Sequence, residues 1–217
     1  MKHKLFLFLL LLITSKLLIA QEKTFKPFVD HYGDNLVLDN FPAVSEDGLY
    51  YLIIYSEYSC CLALGSSLQK IRSIDGELLN EIILSPSEEA GQFTVAEQKS
   101  IYENVKKLLE SDNYYALKEV LKFNQMVDPI DNKIYLEVNV SDRVYRSEKF
   151  SLPQIQSHGF CCNGGSDMHE NCLLYQALVN IYFSIKHKMF LIETGLAQVT
   201  DGCDHGPFYH MIPITKN

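Results

Sequence analysis

The densest run of side chains able to do chemistry is His158, Cys161, Cys162, His169 and Cys172, followed by Cys203, His205 and His210. Three chemistries fit these residues. Sulfur and imidazole nitrogen are donors that zinc and copper accept. The His158-x2-Cys161 and His169-x2-Cys172 spacings let two ligands converge on one ion. A zinc or copper site using His158, Cys161, His169, Cys172 and His205 is therefore one expectation, although the order departs from the common two-knuckle pattern. His205 and His210 would survive oxidation but are too few to hold an ion alone.

The second chemistry is a cysteine thiolate with His158 or His169 as its base, acting as nucleophile or redox thiol. Adjacent cysteines are not the Cys-x-x-Cys of thiol oxidoreductases. The chain also has no Gly-x-Ser-x-Gly elbow, no His-Glu-x-x-His and no glycine-rich phosphate loop.

The third chemistry is disulfide formation. The six cysteines, Cys60, Cys61, Cys161, Cys162, Cys172 and Cys203, are an even set. In an exported chain such a set implies bridges by default. In an extended segment, neighbouring cysteines point to opposite faces, so one of each pair can reach the core. A bridge from Cys161 or Cys162 to Cys172 would close a short loop and stabilise by roughly 2–3 kcal/mol. One from Cys60 or Cys61 to Cys203 would tie distant parts of the chain. The disulfide scaffold is the leading expectation, the metal site the second and the cysteine-dependent enzyme the third.

Other polar groups carry less. Asp128, Asp131 and Asn132 are oxygen donors at turn spacing but lack the glycine and distal glutamate of a calcium loop. A solvated turn is the expectation there. Glu88 and Glu89 read as exposed charge. Tyr50, Tyr51, Tyr55 and Tyr58 could line a carbohydrate or peptide face, but their apolar strand favours core packing. Asn139-Val140-Ser141 is a glycosylation sequon.

Export follows from the start of the chain. Lys2, His3 and Lys4 precede an apolar run from Leu5 to Ile13, and Leu17 to Ala20 ends on a small residue. That is a secretory signal over residues 1–20, with a large Leu18 two positions before the expected cut. The run is too short to span a bilayer and Lys16 interrupts it. No later stretch is long and charge-free enough to cross. Residues 21–217 are expected to form one domain, secreted or periplasmic.

The net charge is −8 with 27 acids against 19 basic residues, and cleavage would remove Lys2, Lys4 and Lys16. An acidic surface disfavours nucleic acid. The partner expected is an extracellular protein or small ligand, and no cofactor is expected unless zinc or copper binds.

The elements that must position the cluster are mostly strands. A short strand is expected at Leu36–Leu38. Ser45-Glu46-Asp47-Gly48 is a turn signal, and Tyr50–Tyr58 is apolar on both faces, as in a central strand. Leu68–Ile74 and Leu78–Leu84 flank Asp75-Gly76, a hairpin signal. The segment from Pro42 through these strands resembles one blade of a β-propeller. The likeness spans about 40 residues without recurring in the sequence, and a propeller needs several blades.

Thr94 and Glu97 make a capping box. Ile101, Val105 and Leu108, with Tyr102 and Leu109, give an apolar helical stripe. A helix is expected over Val95–Glu110 and a second helical stretch over Tyr114–Phe123, forming a central helical insert at 94–123. Lys133–Val140 alternates as a half-buried strand, and Ser141-Asp142 turns into Arg143–Phe150. Residues 153–167 read as a loop, and Asn171–Ile185 fits helix or strand. Met189–Val199 and Phe208–Ile214 read as strands, with Pro213 at a strand end. The fold class expected is α+β, mainly antiparallel hairpins and meanders around that insert, stabilised by disulfides.

Overall fold

Alternating side chains on residues 50–55 serve two different layers, and that double use organises the molecule. The structure is a computed structural model, and it describes residues 25–32, 35–59, 62–87, 90–140, 142–158, 171–196 and 207–215. Strands β1 (Phe28–Tyr32) and β2 (Asn35–Asp39) pair as a hairpin ahead of β3 (Ala43–Val44), β4 (Tyr50–Ser59), β5 (Leu62–Arg72) and β6 (Leu78–Ser85). Strands β3 to β6 form an antiparallel meander in chain order. The β4–β5 ladder ends at Ser59 opposite Leu62. Glu81 is tied to Ser67 and Gln69 at 2.7 and 2.9 Å.

Helix α1 (Val95–Ser111) starts where the capping box places it. The Thr94 hydroxyl accepts from the Glu97 amide at 3.3 Å, and the Glu97 carboxylate accepts from the Thr94 amide at 2.7 Å. Its buried residues Val105 and Leu108 pack with Ala43, Leu52, Leu68 and Tyr114 on one face of the first sheet. The helix ends on a carboxylate hub. Asp112 Oδ2 accepts from Lys70 Nζ at 2.5 Å, Ser111 Oγ at 2.7 Å and Tyr114 OH at 3.0 Å. Burial pushes the Asp112 carboxyl up, but these hydrogen bonds outweigh it and hold the group below the usual carboxylate range.

The second helical stretch does not form. Residues 114–120 run extended, giving β7 (Tyr115–Ala116) on the edge of the first sheet and β8 (Lys118–Glu119) on the edge of the second. Leu117 is buried between them, and its amide donates to Pro42 O at 2.8 Å. Ladder pairing and burial of Tyr114 and Leu117 override the helical propensity of the segment, which is too short to hold a helix without tertiary packing.

The ambiguous stretch resolves as strands β13 (Asn171–Leu174) and β14 (Gln176–Ser184). The expected loop at 153–167 contains β12 (Ile155–His158), paired with β13. With β15 (Met189–Leu196) and β16 (Phe208–Pro213), the second sheet has the order β8, β14, β15, β16. That is again an up-and-down meander. The second sheet repeats the up-and-down order of the first, with an insert between its first and second strands. The insert supplies the third sheet: β9 (Asn124–Val127), β10 (Ile134–Val140) and β11 (Arg143–Arg146). In β10, Leu136 and Val138 are buried and Asn139 is exposed, as the alternation requires.

Three apolar seams hold the layers together. Val44, Tyr51, Ile53 and Ile71 meet Leu117, Met189 and Leu191 between the first two sheets. Leu136, Val138 and Phe150 meet Ile181, Phe183, Phe190 and Ile192 between the second and third. The helix covers the outer face of the first sheet. The fold is mostly antiparallel sheet with one helix among the described residues.

Candidate functional site

The cysteine/histidine region is anchored by the β12–β13 ladder. Its register pairs His158 with Asn171 and Ser157 with Cys172, so His158 and Cys172 occupy neighbouring rungs. Cys60, Cys61, Cys161, Cys162, His169, Cys203 and His205 lie outside the described residues. Among the described residues, no group of three or more His, Cys, Asp or Glu side chains is placed to hold a metal ion.

His210 is engaged elsewhere. Its Nε2 donates to Gln176 Oε1 at 3.1 Å, beside the fully buried Thr194, whose hydroxyl donates to the same oxygen at 2.5 Å. Burial lowers its pKa and favours the neutral ring. The Asp128–Asn132 turn is tied by its own amides and by Lys149. Asp128 and Asp131 accept from the amides of Ile130 and Lys133, and the Lys149 ammonium stands 2.6 and 3.4 Å from the two carboxylates. Of the strand tyrosines, Tyr51 is buried in the seam between the first two sheets and Tyr55 packs against it. Tyr50 stacks under Lys70 Nζ, 4.2 Å from its ring centre. The side chain of Tyr58 lies outside the described residues.

A cleft of about 520 Å³ opens where the chain crosses from the first sheet to the second. Phe25, Phe41, Tyr115 and Tyr182 give it aromatic walls, and Ser184, Lys186 and His187 from the β14–β15 turn close one side. A polar collar surrounds Tyr115. Lys26 donates to Asn113 Oδ1 at 2.6 Å, and Asn113 donates to Glu46 at 2.6 Å. Lys186 lies 4.3 Å from the Tyr115 ring centre and 3.7 Å from Glu46. The Asn113 hydrogen bond, with Lys186 and Tyr115, holds the Glu46 carboxyl below its ordinary value.

His187 Nε2 donates to the Glu46 carbonyl at 3.2 Å, which leaves Nδ1 to accept from Ser184 Oγ at 2.8 Å. The Ser184 hydroxyl also accepts the His187 amide at 3.2 Å. This hydroxyl–imidazole pair has both partners engaged and locks the turn. Burial keeps His187 below its ordinary pKa.

Ser184, Lys186 and His187 carry little signal in the sequence. Their only local signal is a polar Ser-x-Lys-His run between two apolar strands, and its meaning depends on Glu46 and Tyr115 from distant parts of the chain. No known protein family, curated protein or solved structure matches the chain.

Proposed function

We propose that the protein is exported, braced by disulfides and works as an extracellular or periplasmic binding module, with the cleft between the first two sheets taking a small ligand. The cleft is the observation that carries the reading. Its volume lies within the range of about 300–1,000 Å³ typical of small-molecule sites. Phe25, Phe41, Tyr115, Tyr182 and Phe183 give it aromatic surface among polar side chains, of which Lys186 and His187 are tied to Glu46. Such walls supply binding energy through apolar burial, and fixed polar groups supply orientation. The β12–β13 ladder supports the bracing, because it closes the ends of the segment that carries Cys161, Cys162 and His169.

The ladder also favours a second reading. His158 and Cys172 on neighbouring rungs could begin a zinc or copper site completed by Cys161, His169 and His205.

The test is the intact mass of the full chain made in an exporting host, measured non-reduced, under native conditions, with and without thiol alkylation. Loss of residues 1–20, a mass six hydrogens light and no alkylation would support the braced module. A native-mass adduct that disappears in an Ala116→Trp variant filling the cleft would assign the ligand to that site. Free thiols, or added mass matching zinc or copper, would instead favour the metal reading.

A further inference from the structure

The β14–β15 turn that closes one side of that cleft also borders a second, basic groove. A groove of about 660 Å³ lies where β11, the β14–β15 turn and the end of β16 meet. Arg143 and Lys188 line it, and among the described residues no Asp or Glu does. Val144, Ile185 and Ile214 give it an apolar floor, and Thr215 adds a hydroxyl. The floor continues the core: Ile185 and Ile214 pack against the seam between the second and third sheets. Val144 is 50% exposed.

The two cations differ from the other arginines. Arg72 is clasped by Asp75 and Glu77 at 2.8 and 2.6 Å, and Arg146 by Glu137 at 2.6 Å. Among the described residues, Arg143 and Lys188 have no carboxylate within ion-pair distance. The backbone holds Lys188 in place. Lys188 sits at φ 52 in the turn, and its carbonyl accepts from the Ile214 amide at 2.9 Å. Both cations line the same apolar trough.

We propose that this groove binds a small monocarboxylate with an apolar tail. The Arg143 guanidinium offers a fork that matches a carboxylate, and Lys188 adds a point charge beside it. The tail lies along Val144, Ile185 and Ile214, where its burial removes exposed apolar surface on both partners. Charge complementarity selects the anion, and the trough selects a tail over a bare carboxylate.

The test uses the full chain, ¹⁵N-labelled, titrated with decanoate and separately with decyltrimethylammonium, a cation with the same tail. Decanoate is expected to shift the amides of residues 143–145, 185–188 and 214–215 saturably, and the cation is expected to leave them in place. Arg143→Ala with Lys188→Ala should weaken decanoate binding by about ten- to a hundredfold. Arg143→Lys alone should cost less, because charge remains and only the fork is lost. Both side chains are exposed, and an unchanged amide spectrum elsewhere confirms folding of the variants. Equal shifts from both amphiphiles, shifts confined to other amides, or undiminished affinity in the double variant would overturn the proposal. Binding only to anionic phospholipid vesicles, without decanoate shifts, would overturn it as well.

Discussion

The two meanders have the same strand order and different causes. The first, β3 to β6, is continuous in the chain, and short connections set its registers one after another. The second begins with β8, loses it for the length of the third sheet, and recovers it only when Tyr182 and Phe183 pair with Glu119 and Lys118. Local turn chemistry can specify the first. The second depends on side chains that meet across layers, so its stability should respond most to core truncation, whereas the first should respond most to backbone and capping changes.

Phe190→Ala tests that contrast at its strongest. Phe190 is fully buried, with its ring centre 5.0 Å from that of Phe183. Its truncation should cost about 3 to 5 kcal/mol in urea unfolding. A loss below about 1 kcal/mol would mean that the second and third sheets are not held by this seam.

Gly65→Ala addresses the first meander through its backbone. Gly65 has φ +98, and a Cβ there would lie 2.6 Å from the Ser85 carbonyl oxygen. About 2 kcal/mol should be lost, through left-handed strain and displacement of β6. An unchanged urea midpoint would show that the β5–β6 register can slip without penalty.

Asp112→Ala should cost about 2 kcal/mol, since it strands the Lys70 ammonium and the Tyr114 hydroxyl together. Asp112→Asn, which keeps an acceptor, should cost less, and equal losses would argue against the charge having a role. Thr94→Ala should remove about 1 kcal/mol by uncapping α1. A Glu97→Ala change made on top of it should add little, because the two residues form one box.

The smallest effect separates the regions by pH. Burial keeps His210 neutral in the fold, so the unfolded chain binds more protons as pH falls below the ordinary histidine value of about 6.5. Its contribution is complete above that value and is lost as pH drops toward the depressed folded one. His210→Gln should therefore narrow the difference between urea midpoints at pH 7 and pH 5. An identical difference in the variant would remove His210 from the acid response.

Much of the first meander was legible in the sequence. Asp75-Gly76 marked its last hairpin, Thr94 and Glu97 marked the helix start, and the alternation through Ile134, Leu136, Val138 and Val140 identified the half-buried strand. Tyr114–Phe123 misled because a tyrosine- and leucine-rich run fits an amphipathic helix as readily as a strand bridging two sheets. Partners far away in the chain decide between them: β3 and β14 pair with the segment, and Pro42 and Ile181 accept from Leu117 and Val120. The cleft was hidden for the same reason: Glu46, Asn113, Tyr115 and His187 carry no shared local pattern. Arg143 and Lys188 look like ordinary surface charge until the fold places both beside one apolar trough that no acid lines among the described residues.

The crossing at Leu117 sets a timetable for a chain that folds as it is made. By the time residue 120 emerges, the first meander, the helix and the β7 edge can all be in place. The face formed by Val44, Tyr51, Ile53 and Ile71 must then wait for Met189 and Leu191, which arrive only after the whole third sheet has been synthesised. Over that interval a ribosome-bound or translocating chain would carry a bare apolar sheet. Capture by a holding chaperone, or clumping between nascent neighbours, would compete with completion of the fold.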